Sequence, residues 1–187
     1  MTASLWIIDE NEVPFSPFAA VDAIDPGVTI AGVAGKPSVP YGTVVRAKHP
    51  TFGEGEFIYL QGVASTLVGS LVNYVVSTGV TSLTTASVGS IPRPVAVAMS
   101  ANVSTTTFGW YQIAGSAVIK KTAVKVDPAI THATNVYLSG TSGRIMQTSV
   151  AVRTVLGAAF ETTTTITSTT STAVVTINRP HQQGPII

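Results

Sequence analysis

The sequence predicts an all-β protein: a small β-barrel or β-sandwich with an extended, proline-rich N-terminal arm. Three observations lead there. Thr, Val, Ser, Ala and Gly dominate, and only 10% of the 187 residues are charged, against about 25% in an ordinary soluble domain. From Tyr41 onward, short β-prone runs are separated by Gly, Ser, Asn and Pro, the punctuation of turns between strands. The first 42 residues carry Pro14, Pro17, Pro26, Pro37 and Pro40, and proline's missing N–H and fixed φ keep such a segment out of central strands. A mean hydropathy of +0.41 is too apolar for a disordered chain.

The sequence divides into an arm (1–42), a β-rich domain (43–180) and a C-terminal tail (181–187). The arm holds Trp6, Phe15 and Phe18, and leaving such side chains in water costs roughly 1.5 to 3 kcal/mol each. The arm is therefore expected to dock, on its own domain or on a neighbouring subunit. Trp6, Phe15 and Phe18 are the candidate interface anchors.

In the domain the expected strands are Thr43–Lys48, Glu56–Gln61, Asn73–Ser77, Pro94–Ser100, Gly109–Ile113, Ala117–Lys121, Thr122–Val126, Asn135–Ser139, Arg144–Arg153 and Ser171–Arg179. Val95, Val97 and Met99 alternate with Ala96, Ala98 and Ser100, and Val174, Thr176 and Asn178 with Val175, Ile177 and Arg179, the two-residue period of a strand. Val63, Leu67, Val68, Leu71, Val72 and Val75 recur at helical spacing, but Gly62, Gly69 and β-branching favour strand with loop. A short helix is expected near Arg153–Phe160, and a strand or ribbon in the Thr/Ser run of residues 161–172. Phe57–Pro92 and Pro94–Ile119 carry no charge, yet Gln61, Gly62, Gly69 and Asn73 interrupt the first. Strands buried on both faces, or at a subunit interface, fit these stretches better than a membrane span.

Ten basic and nine acidic residues leave a net charge of +1, which provides no electrostatic footprint for nucleic acid or an anionic membrane. Lys120, Lys121 and Lys125 form the one loose basic cluster, expected as a solvated turn flank. Without cysteine, thiolate catalysis and Cys-based metal sites are excluded. Residues 1–12 lack the basic flank and apolar core of an export signal.

The histidines His49, His132 and His181 fall in no metal or triad spacing. His49, with Glu54 and Glu56 beyond it, reads either as a base with two carboxylates or as a hairpin loop, and glycines around single acids favour the loop. Gly32–Lys36 and Ser139–Gly143 read as turns, Trp110 and Tyr111 as core rather than a stacking platform, and Asn102-Val103-Ser104 as a chance glycosylation match. No catalytic, cofactor-binding or metal-binding residue is expected, and no cofactor.

Gly53–Thr66 (GEGEFIYLQGVAST), Pro94–Ala101 (PVAVAMSA) and Gly109–Ala117 (GWYQIAGSA) resemble small structural proteins encoded in the head-gene region of tailed bacteriophages, and the chain is similar to capsid decoration (cement) proteins. That resemblance implies a β-barrel or β-tulip-like domain, dimers or trimers with trimers favoured, and contacts to the major capsid protein. It places the protein on the outer capsid surface of the virion after synthesis in the host cytoplasm. It carries over no residue roles, because such proteins work through surfaces. A tail, neck or fibre component, or a carbohydrate-binding or hydrolytic protein, is the competing expectation. The partners expected are the major capsid protein and sibling copies, with no nucleic acid and no membrane.

Overall fold

The computed structural model describes residues 6–8, 20–30, 32–86, 92–122, 134–161 and 171–184. All regular structure among them is β: β1 (Ile7–Ile8), β2 (Ile24–Asp25), β3 (Val28–Ile30), β4 (Val33–Lys36), β5 (Val44–His49), β6 (Gly53–Gln61), β7 (Leu71–Tyr74), β8 (Thr81–Leu83), β9 (Val95–Ala98), β10 (Phe108–Lys120), β11 (Thr134–Leu138), β12 (Ile145–Met146), β13 (Thr154–Phe160) and β14 (Thr172–Gln182). β3 and β4 pair by themselves, and the other twelve strands share one sheet whose main path runs β1-β5-β6-β10-β14-β13-β11-β12. The all-β class follows from the sequence as expected.

The spine is β10. One of its edges takes β6, in register from Phe108↔Gln61 to Ala114↔Glu56. The other takes β2 at Phe108 and Gly109, β9 at Tyr111 and Gln112, and β14 from Ala114 to Lys120. A bulge between Gln112 and Ala114 divides the strand. The buried Gln112 side chain closes it, its Nε2 donating to the carbonyls of Ala114 (3.1 Å) and Ser116 (3.0 Å). Gly115 follows at φ +97°, where a Cβ would lie 2.5 Å from the Glu54 carbonyl oxygen. Only glycine fits there. The expected strands Gly109–Ile113 and Ala117–Lys121 are thus two halves of one bent strand.

Before the bulge, alternation buries β6 and β10 on both faces. Phe57, Tyr59, Phe108 and Trp110 pack with Trp6, Val21, Val39 and Val45, while Ile58, Leu60, Tyr111 and Ile113 pack with Val72, Tyr74, Ala96 and Ala98. Beyond it, Ala117 and Ile119 join a third cluster with Val95, Val97, Val136, Leu138, Val155, Phe160, Val175 and Ile177. Two-sided burial is why Phe57–Leu60 and Phe108–Ile113 need no charge. β9 carries the expected alternation, its valines in the third cluster and its alanines in the second. At the far end of β10 the Thr122 amide donates to the Ile145 carbonyl at 3.0 Å, beside a lone parallel bridge between Lys121 and Ile145.

Several local expectations are corrected. Residues 154–160 form β13 rather than a helix, because pairing with both β11 and β14 outweighs the helix propensity of Leu156, Ala158 and Ala159. Gly157, at φ +76°, sits where the β13–β14 register shifts. Glu54 and Glu56 lie within β6 rather than in the hairpin loop, which is confined to residues 50–52 and closed by Gly53 at φ +73°. Residues 33–36 of the first glycine-rich stretch form a strand. Lys121 is buried instead of flanking a solvated turn, since it follows β10 at the point where Ser171 and Ile145 converge. The Thr122–Val126 strand from Ala123 on, Lys125, His132, residues 162–170 of the Thr/Ser run and the last three residues lie outside the described residues.

Gly62 illustrates how tightly the loops are set. A Cβ there would lie 2.2 Å from Asn102 Oδ1 and 2.4 Å from the Ser104 carbonyl, the latter being backbone and unable to swing away. Gly62→Ala is expected to lower the unfolding free energy by about 2 to 3 kcal/mol, read as a shift of the urea midpoint. An unchanged midpoint would show that the 102–107 loop yields freely.

Candidate functional site

Side chains at two places fasten the described parts of the N-terminal segment to the chain's own domain, in addition to the β2–β10 pairing and the burial of Val21 and Val39. Trp6 is 3% exposed and packs edge-on against Phe57 (4.9 Å), parallel to Phe52 (6.4 Å) and tilted over His49 (5.1 Å). Next to it, Ile7 and Ile8 pair with Lys48 and Ala47 of β5. Of the three expected anchors, Trp6 is therefore covered by its own hairpin; Phe15 and Phe18 lie outside the described residues.

The second attachment is Asp25. Its buried carboxylate accepts hydrogen bonds from the Gly27 amide (2.7 Å), the Ser38 amide (3.2 Å) and the Tyr59 hydroxyl. One side chain thereby ties the 24–39 segment to the middle of β6. Burial, reinforced by the hydrogen bond and negative charge of Asp25, holds the Tyr59 phenol far above its ordinary range. Sequence reasoning missed Asp25, although Asp-Pro-Gly is an Asx-turn signal.

Several of the described residues considered for chemistry make structural contacts. His49 Nδ1 accepts the amides of Thr51 (3.0 Å) and Phe52 (3.2 Å), capping the hairpin. Glu54 and Glu56 face Arg46 (3.9 and 3.6 Å), and Glu56 also binds Arg179 at 2.7 Å. The acids are thus engaged by arginines across the strands rather than by the histidine. His181 lies on β14 opposite Leu156. Trp110 and Tyr111 are both buried, on opposite faces of β10. Asn102 is buried, accepting the Thr107 hydroxyl, so its side chain is closed to a glycan. Among the described residues no group of three or more His, Cys, Asp or Glu is placed to hold a metal, and no helix is long and apolar enough to cross a membrane.

What the surface does present is aliphatic. Val44, Leu67, Val68, Val75, Val76, Val80, Val103 and Val118 are all exposed. Val75, Val76 and Val80 crowd the turn between β7 and β8, where the Val75 amide donates to the Val80 carbonyl (3.0 Å) and the Gly79 amide to that of Val75 (2.8 Å). This turn lies against the start of β5: a Cβ on Gly42 would be 3.4 Å from Val76 Cγ1, and one on Gly79 would strike the Tyr41 ring.

No family model, curated protein or solved structure matches this chain.

Proposed function

We propose that the protein is a structural virion component that binds the outside of a tailed-phage capsid and, as a homo-oligomer, reinforces contacts between major capsid subunits. The observation that carries this reading is the exposed aliphatic surface on a chain with few charges. Val76 and Val80 are 55% and 49% exposed, and grouped apolar side chains at that exposure are typical of surfaces covered in an assembly. Among the described residues, His49 caps its hairpin, Glu54 and Glu56 pair with arginines, and Trp110 and Tyr111 belong to the core. We further read β10, β14, β13, β11 and β12 as a small barrel, on the strength of the Thr122–Ile145 contact. The first 42 residues then act as a proline-rich arm whose Trp6 end covers its own hairpin. The resemblance favours a trimer.

The test is association. Sedimentation of the full chain at micromolar concentration is expected to show an oligomer, and the protein is expected to bind purified shells and raise their heat resistance. A stable monomer would remove the self-association part, and binding confined to tails would move the protein from the shell to the tail.

A further inference from the structure

We propose that His49 is an acid-operated latch: its neutral imidazole fastens Trp6 and β1 to the β5–β6 hairpin, and protonation of that ring lets the N-terminal segment go. The contact lies within one chain, so the inference stands whether or not the protein self-associates.

The latch depends on a lone pair. His49 Nδ1 accepts the amides of Thr51 (3.0 Å) and Phe52 (3.2 Å), so that nitrogen carries no proton and the ring is the Nε2–H tautomer. An imidazolium carries N–H at both nitrogens. The new N–H and the two amides then point at one another with no acceptor among them, and the ring has to turn away. That ring is part of the seat of Trp6: it lies 5.1 Å from the indole and 4.8 Å from Phe52, which itself stacks on Trp6. Opening the turn also shifts Phe52, whose amide is one of the two donors.

Little else secures this end of the segment. β1 pairs with β5 only at Ile7↔Lys48 and Ile8↔Ala47, with one further bridge from Ile7 to Ala20. So short a strand has no stability of its own, and it relies on the burial of Trp6 and Ile8.

No carboxylate among the described residues faces the ring to hold an imidazolium. Alternation in β5 puts His49 on the face of the buried Val45 and Ala47. Arg46 and Lys48 lie on the opposite face, with Glu56 and Glu54 as their cross-strand neighbours. Gly53 opposite His49, residues 50–52 of the turn, Phe57 and Trp6–Ile8 carry no ionisable side chain. Cation–π attraction to Trp6 is the one contact that favours the charged ring. It acts only while the ring keeps the place in which both amides meet the new proton.

The experiment uses the full chain at about pH 8 and about pH 4.5, either side of the ordinary imidazole range. Acrylamide quenching reads the indoles of Trp6 and Trp110. Trp110 is sealed in the core and stays silent while circular dichroism shows the β structure intact, so a several-fold rise in quenching in acid is expected from Trp6. Nitrogen NMR is expected to show His49 Nδ1 unprotonated at the higher pH, and the Thr51 and Phe52 amide shifts to move with the same midpoint as the quenching. H49N keeps an acceptor for the turn amides that acid does not protonate, so its Trp6 is expected to stay shielded at both pH values, whereas H49A is expected to be quenched at both. Asp9 and Glu10, outside the described residues, and all other carboxylates titrate alike in parent and H49N, so the difference isolates His49. Quenching that rises equally in parent and H49N overturns the latch. So does a Trp6 that stays shielded in H49A, or in the parent once NMR shows His49 protonated. If H49N loosens Trp6 already at the higher pH, the parent's own curves decide: coincident imidazole, amide and quenching midpoints uphold the latch, and separate ones overturn it.

Discussion

Asp25→Ala is expected to lower the unfolding free energy by about 4 kcal/mol, since an unsatisfied buried donor costs about 1 to 3 kcal/mol and the change orphans several. The donors are the Gly27 amide, the Ser38 amide and the Tyr59 hydroxyl. Asp25→Asn should cost less, because the remaining carbonyl oxygen still accepts although the charge is gone. Tyr59→Phe removes one donor cleanly, so Asp25→Ala should be less damaging in that background, and a double-mutant cycle isolates the pair. Urea melts supply the free energies. Hydrogen exchange adds a local reading, in which the amides of Gly27 and Ser38 lose protection before those of β10. Parent-like stability in Asp25→Ala would mean that the clamp holds nothing the core does not already hold.

Alkaline unfolding is the second large effect. Burial raises the phenols of Tyr59 and Tyr111 far above their ordinary value, with the Asp25 hydrogen bond and charge adding to the shift at Tyr59. In the unfolded chain both ionise near pH 10. Above that pH the unfolded state binds fewer protons than the folded one, so stability falls as pH rises, by about 1.4 kcal/mol per pH unit for each tyrosine. Together they should remove about 4 kcal/mol between pH 9 and about pH 11.5. Below about pH 9 both are protonated in either state and their contribution is fully present.

Lys121 acts with the opposite sign. Burial lowers its folded pKa, so the unfolded state keeps a proton that the folded state has lost, and stability rises with pH until the unfolded lysine titrates. Its gain therefore precedes the tyrosine loss. Tyr59→Phe and Tyr111→Phe should each halve the slope above pH 10, followed by denaturant midpoints, with the phenolate absorbance of these two residues appearing only on unfolding. Phenolate absorbance from these two residues near pH 10 in the folded protein would contradict the shift.

The part of the fold legible in the sequence is the part set by neighbours one or two residues apart. The valine–alanine alternation of Val95–Ala98 placed two faces in two different clusters, and the uncharged run through Phe57–Leu60 announced a strand buried on both sides. Both follow from the two-residue period of a strand, which a sequence displays directly. Trp110 and Tyr111 were legible for the same reason. Leu156, Ala158 and Ala159 pointed to a helix with Gly157 against it, and the balance was tipped by strands on either side that no local window contains.

What the tertiary structure alone decided depends on residues far apart. Asp25 and Tyr59 are 34 positions apart, and nothing near either indicates that a carboxylate and a phenol meet in the interior. Trp6 had two possible partners by composition; packing against Phe52 and Phe57 supplied the one within its own chain. Lys121 looked solvated among other lysines and is buried because β10 ends where two other segments converge. The β7–β8 turn likewise packs under the Tyr41 ring only because Gly79 has no side chain to strike it. Composition and alternation determine which residues leave water, since that depends on each side chain and its period; which buried groups find one another is set by chain topology, and that is decided only when the whole sheet has formed.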